Sequence, residues 1–311
     1  MLAASVVIAA VASLLIHRFN VSAALDFPVD VGGPLTGGID IIVDWMVVNL
    51  AWFFDTISDN LKLALGKLRD FLVWVPWPVT VAAVFLVGWR AATLKIGLLS
   101  AVALSLIGIV DLWESAMITV SIMMVSVTIS VIIGIPIGIL VSRNNWLDAA
   151  IRPLLDGMQT LPPFVYLVPG IMFFGLGNVP AVLATVLYSI PPCIRLTNLG
   201  IRQVDPSVVE AGQAFGSTTI QLLTKVQIPL AIPTIMAGVN QTVMMALAMV
   251  TIAAMVGAGG LGLEVLRSMG QLEQGEALVA GMGIVILAII VDRISQGFIS
   301  ARHGSTDPGI G

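Results

Sequence analysis

The chain has 311 residues, 58% of them hydrophobic and only 10% charged, with a mean hydropathy of +1.04. A soluble domain carries roughly 25% charged residues. This composition therefore excludes a water-soluble globule, and the net charge of −4 excludes a basic nucleic-acid binder. Apolar runs of about 18 or more residues recur, each long enough to cross a bilayer, while the short period-2 segments of an outer-membrane barrel are absent. The fold class is all-α, a polytopic membrane helical bundle. One cysteine, Cys193, leaves no disulfide framework and reads as a buried small hydrophobe. Two histidines, His17 and His303, do not support a histidine metal centre, and no metal site is expected.

In chain order, residues 1–16 form an apolar run closed by His17 and Arg18. It lacks a basic leader and a small-residue cleavage pattern, so it reads as a short span or anchor. Gly32-Gly33-Pro34 and Gly37-Gly38 mark a linker, so residues 1–38 make an N-terminal anchor and linker. Residues 39–75 read as an amphipathic interfacial segment. Asp40, Asp44, Asp55, Asp59, Lys62, Gly66 and Arg69 share one helical face, with Trp45, Trp52 and several leucines largely elsewhere. The plain alternative is an ordinary span packed through its polar stripe.

From residue 76 to 305 the chain is a transmembrane region, followed by a tail at 306–311. Spans are predicted at 78–89, 91–110, 117–141, 160–174, 180–193, 233–256 and 277–299. Several are shorter than the ~20 residues of an upright span. Pro136, Pro162, Pro163, Pro169, Pro191 and Pro192 free backbone groups that neighbouring helices or a watery cavity must satisfy. Arg143, Arg152, Arg195, Arg202 and Lys225 cluster in the connections after the third and fifth spans, and Arg293 and Arg302 lie near the end of the chain. The positive-inside rule makes these cytoplasmic. The connections at 111–114 and 175–179, and the acidic loop 257–276, then face outside.

The cytoplasmic connection 195–233 carries its own signals. Asp205-Pro206 is an N-cap with proline in the first turn. A short helix over 207–215 follows, with Glu210 in its early turns, and Gly216 ends it. A second amphipathic segment over 217–228 is predicted to stop at Pro229. Such a module has no pocket of its own and suits docking.

Glu210-Ala211-Gly212, three residues, Gly216, nine residues and Val226-Gln227-Ile228-Pro229 resemble the EAA loop of ATP-binding-cassette (ABC) importer permeases. Gly212, Val226 and Ile228 depart conservatively from that pattern. Further stretches are similar to permeases of glycine betaine/proline betaine (quaternary amine) uptake systems. These are DGMQTLPPFVYL from Asp156, FFGLGNVP from Phe173, RLTNLGIRQV from Arg195, AGVNQTVMMAL from Ala237 and GAGGLG from Gly257. The similarity runs over 39–296. It implies a type I ABC importer permease fold, with a five-span core plus N-terminal helices, in the bacterial cytoplasmic (inner) membrane. It also implies a separate ATPase subunit, which binds ATP and Mg and receives the EAA helix, and a substrate-binding protein delivering an osmolyte from outside. This chain itself is expected to bind no cofactor and to be no enzyme, and it has no phosphate-binding Gly-rich loop. No binding protein is expected to be fused after Gly311. With one EAA loop per chain, a two-fold homodimer matches an ATPase dimer.

The implied cargo is glycine betaine, proline betaine, choline, carnitine or trimethylamine N-oxide. A permease for an amino acid or another small solute stays open. An ion-coupled secondary transporter would need intramembrane acids and inverted repeats, and neither is visible. For the pathway, Asn240, Gln241 and Thr242 fit a polar passage or interhelical hydrogen bonding. Met244 and Met245 fit an adaptable lining or core packing. Thr160 and Tyr166 flank Pro162-Pro163, and Tyr166 fits a cation–π contact or packing. Arg152 and Asp156, four apart, are read as a helix-surface ion pair.

Overall fold

A computed structural model describes residues 32–303, with side chains to 297, and isolated positions before residue 32. The anchor read at 1–16 and the tail at 306–311 lie outside the described residues, apart from backbone at isolated positions. The chain divides into two units, before and after the Phe53–Phe54 bond.

The first unit holds helix α1, Gly32–Asn49, which buries no residue. The glycines and proline expected to make a linker are instead helical. Pro34 sits in the first turn, where its missing N–H has no partner to lose, and the Thr36 hydroxyl bonds back to the Gly32 carbonyl at 3.0 Å. Helix α2, Ala51–Trp74, starts after a break at Leu50 and contributes its first residues to this unit, so the polar-striped segment is two helices.

In the second unit, α2 buries Ser58, Leu61 and Leu65, spaced three and four apart as one helical face requires. Helices α3, Trp77–Ala91, and α4, Leu94–Ile109, form a hairpin. They meet where a Cβ on Gly97 would lie 2.7 Å from the Phe85 carbonyl oxygen. Helix α5 runs from Trp113 to Arg143. Helix α6, Asn145–Thr160, is capped by the Asn144 side chain. A 3-10 turn at Pro163–Tyr166 and helix α7, Leu167–Phe174, follow. The predicted span 160–174 is therefore not one helix: α6 and the turn-plus-α7 segment are bent by 110° across Leu161-Pro162. Pro162 and Pro163 cannot continue the backbone hydrogen bonding there.

Helix α8, Asn178–Arg202, is buried along most of its length. It extends past the predicted end at Cys193, running through Pro191 and Pro192. Helix α9 is Pro206–Ala214 and α10 is Thr219–Leu222. A π-helical turn at Leu223–Gln227 leads into α11, Ile228–Ile252. A 3-10 turn at Ala253–Val256, helix α12 at Leu261–Gly270 and helix α13 at Gln274–His303 complete the described chain.

Helix α8 lies between α5 and α11, and glycines set the spacing. A Cβ on Gly138 of α5 would fall 2.6 Å from the Thr197 Cβ and 2.7 Å from the Ile194 carbonyl oxygen. One on Gly238 of α11 would fall 2.9 Å from the Leu196 Cβ. Lipid offers no hydrophobic drive between helices, so close backbone approach through small residues supplies the packing. At the end of the bundle away from the basic connections, the loop after α11 seats on α5 and α8. The Leu261 N–H donates to Thr119 Oγ1 at 2.8 Å, and the Gly259 N–H to Asn178 Oδ1 at 3.0 Å. Gly260, at φ +97°, has no room for a side chain, since a Cβ would meet Thr119 Oγ1 at 2.4 Å. Among the described residues, α5, α8, the α10–α11 stretch and α13 are long and apolar enough to cross a membrane.

Candidate functional site

The connection over 195–233 folds as its local signals dictate. The Asp205 carboxylate accepts from the Ser207 N–H at 2.8 Å and Pro206 opens α9. Hydrogen bonds from Ser207, through its side chain and its backbone, hold the Asp205 carboxyl below the ordinary carboxylate value. Gly216 takes a left-handed φ of +79°, and the Ser217 N–H returns to the Gly212 carbonyl at 3.1 Å. Thr218 and Gln221 then make a reciprocal capping box.

Because the Asp205 carboxyl is depressed by folding, its capping contribution is present above its unfolded pKa, near 4. It is lost as pH falls through the lower folded value. Asp205→Ala should lower hydrogen-exchange protection of the Ser207–Val209 amides at pH 7, and the difference from wild type should shrink below about pH 4. Equal protection at pH 7 would show that the cap does not hold this helix.

Two faces of α9 separate. Glu210 and Ala211 are exposed, whereas Gly212 is half-buried. A Cβ on Gly212 would come 2.7 Å from Leu222 Cδ1, and Leu222 is buried, so Gly212 seats α9 on the following helix. Val226 and Ile228 are partly buried and Pro229 is exposed. The expected stop at Pro229 does not occur, for helix continues through Pro229 and Pro233 to Ile252. The Ile228 N–H bonds the Leu223 carbonyl five residues back. This wider turn gives space for the ring that an α-helical turn would exclude. The motif spacing does not single out Phe215 and Ile220, yet they are 92% and 74% exposed. Their signal was available: large apolar residues in a polar connection outside the bilayer mark an interaction surface.

The connection is tied to the spans by polar bonds. Asp148, nearly buried, accepts from Arg152 at 3.1 and 2.6 Å and from Asn198 at 2.8 Å. Arg202 bonds Asn198, Asn145 and the Val141 carbonyl. The expected Arg152–Asp156 pair is not formed. Arg152 turns back to Asp148, and Asp156 pairs with Arg195 at 2.6 Å. An acid four residues before a base is the better helical order, and α8 supplies Asp156 with a partner across the fold. A cleft lined by Arg143, Arg202, Glu210 and Gln213 lies between α9 and the ends of α5 and α8.

The predicted pathway residues do not converge. Thr160, exposed, donates to the Gly157 carbonyl at 3.0 Å. Tyr166 is buried, donates its hydroxyl to the Met158 carbonyl and meets Tyr188 edge-on at 5.8 Å. Asn240 accepts from the Ser295 hydroxyl, joining α11 to α13. Thr242 is fully buried and its hydroxyl has no partner among the described residues. Gln241 is exposed, and Met244 and Met245 are half-buried.

Residues 130–302 match the family described as binding-protein-dependent transport system inner membrane component. The chain is 45% identical over 263 residues to the glycine betaine/proline betaine transport system permease protein ProW of Escherichia coli (strain K12), covering 85% of this chain and 74% of that protein. It is 44% identical over 263 residues to the glycine betaine transport system permease protein OpuAB of Bacillus subtilis (strain 168), covering 85% and 93%. An inward-facing structure of the MetNI methionine ABC transporter superposes with a TM-score of 0.57 at 21% identity, over 61% of this chain and 95% of that one, which speaks to the fold alone. Helix content, apolar spans and these similarities agree: the chain belongs to the binding-protein-dependent transport system inner membrane components and is the membrane-spanning permease subunit of an ABC importer, not itself an enzyme.

Proposed function

We propose that this permease moves a betaine-type osmolyte inward by alternating access: glycine betaine, proline betaine, choline, carnitine or trimethylamine N-oxide. The observation that carries this reading is 45% identity over 85% of the chain to a relative named for glycine betaine and proline betaine. A separate ATPase holds ATP and Mg and docks on the exposed face of this connection, Glu210, Ala211, Gly216 and Pro229, while Gly212, Val226 and Ile228, partly buried, shape the connection behind it. The exposed Glu210, Ala211 and Phe215 support this docking surface. Each chain carries one such connection, and two chains related by a two-fold axis present one to each half of an ATPase dimer. Gln241 is exposed in an apolar helix, where lipid is a poor partner for an amide. A shared passage in the homodimer would supply a better one. Residues 39–75 lie along the membrane surface.

The test is reconstitution in proteoliposomes. Permease, ATPase and betaine-loaded binding protein together should give ATP-dependent uptake, and the permease alone should neither hydrolyse ATP nor take up solute. Uptake by the isolated chain driven by a sodium or proton gradient would overturn the reading.

A further inference from the structure

A cavity of about 260 Å³ lies between α2 and the outer ends of α5, α7 and α8. It is below the roughly 300–1,000 Å³ of pockets for drug-sized ligands, so it suits a small solute. Lys62, Gly66 and Arg69 line one wall, at the spacing of a single helical face. Phe174 and Asn178 line the other.

Three features give the cavity a chemistry. First, its cations are only loosely engaged. Lys62 lies 3.7 Å from Asp59 with both side chains largely exposed, and Arg69 gives one donor to Glu114 at 2.9 Å, also exposed. Such surface pairs hold weakly, so an arriving carboxylate can replace either partner and leave again. Second, the Asn178 carbonyl oxygen accepts from the Gly259 N–H, and among the described residues its NH2 has no acceptor. Third, Phe174 is a fixed aromatic wall, edge-on to Phe54 at 5.6 Å, while Phe54 stacks on Phe173 at 4.5 Å. An aromatic face attracts a methylated ammonium. Cations and an aromatic ring in one small cavity match the two ends of a zwitterion.

We propose that this cavity is an entry site for a zwitterionic solute after the binding protein releases it. Lys62, Arg69 and the Asn178 amide take the carboxylate, and Phe174 takes the quaternary ammonium. The proposal rests on the betaine reading above and adds where the solute first meets this chain.

Gly66 provides a clean test, because it lines the cavity and a Cβ added there meets nothing within 4 Å. Gly66→Leu should carry its bulk beyond that open Cβ position into the cavity, whereas Gly66→Ala adds only the Cβ. In proteoliposomes with ATPase and binding protein, wild type and three variants, Gly66→Leu, Gly66→Ala and Lys62→Gln/Arg69→Gln, would be compared at subsaturating loaded binding protein. Glycine betaine uptake should fall about tenfold or more in Gly66→Leu and in the double variant, the scale of losing charge-assisted hydrogen bonds. It should stay near wild type in Gly66→Ala, with ATPase co-purification unchanged in all. Uptake within twofold of wild type in Gly66→Leu would overturn the site, whatever the double variant does. Absence of glycine betaine uptake by the wild-type complex would instead overturn the betaine reading itself, and with it the assigned ligand.

Discussion

Gly138→Leu is expected to cut the yield and the thermal stability of the folded permease. Helix α8 is the centre of the bundle, and its neighbours touch it through glycine. At Gly138 an added Cβ meets the Thr197 Cβ at 2.6 Å and the Ile194 carbonyl oxygen at 2.7 Å. A flexible side chain could swing aside, but a helical carbonyl moves only with its helix. Overpacking of this kind costs about 1–3 kcal/mol or more, against a total stability of roughly 5–15 kcal/mol. Leucine at Gly138 forces α5 and α8 apart, and the neighbouring contact of Gly134 with Cys193, at 3.0 Å for an added Cβ, would open with it. The check is monodisperse yield and thermal stability in detergent, with Gly157→Leu as the comparison, since a Cβ there meets nothing within 4 Å. Equal yield and melting for both variants would mean that glycine spacing does not organise the core.

Phe215→Asp and Ala211→Arg should separate the permease from its ATPase while leaving the bundle folded. Both residues are exposed on the connection over 195–233, and neither supports the fold from within. Interface residues that dominate binding lose about 2 kcal/mol or more on truncation, roughly 30-fold in affinity, and a buried charge without a partner adds to that. ATPase retention on the purified permease should therefore drop to background, and uptake with it. Gly212→Asp should behave differently, because its side chain runs into Leu222 rather than a partner. It should loosen α9 on α10, seen as faster proteolysis of the connection. Normal co-purification and uptake in both Phe215→Asp and Ala211→Arg would show that this connection is an ordinary surface helix.

What the sequence determined by itself is of short range. Low charge and long apolar runs specify a membrane bundle because lipid selects on composition. Asp205-Pro206 and Gly216 specify the ends of α9, since an N-cap and a left-handed glycine act within a few residues of themselves, and each is found where the sequence places it. Tertiary structure alone decided what depends on distant partners. Proline reads as a stop along the chain, yet Pro191 and Pro192 sit inside α8, where α5 and α11 pack against the helix. Pro229 is carried past by a π turn. Asp156 finds Arg195 on another helix instead of its neighbour Arg152. Gly212 and Phe215, three residues apart, face inward and outward respectively. The cavity between Lys62, Phe174 and Asn178 joins residues more than a hundred positions apart. Composition and capping act through local backbone chemistry, whereas helix continuity, ion-pair choice and cavities are set by packing between segments that the linear order does not bring together.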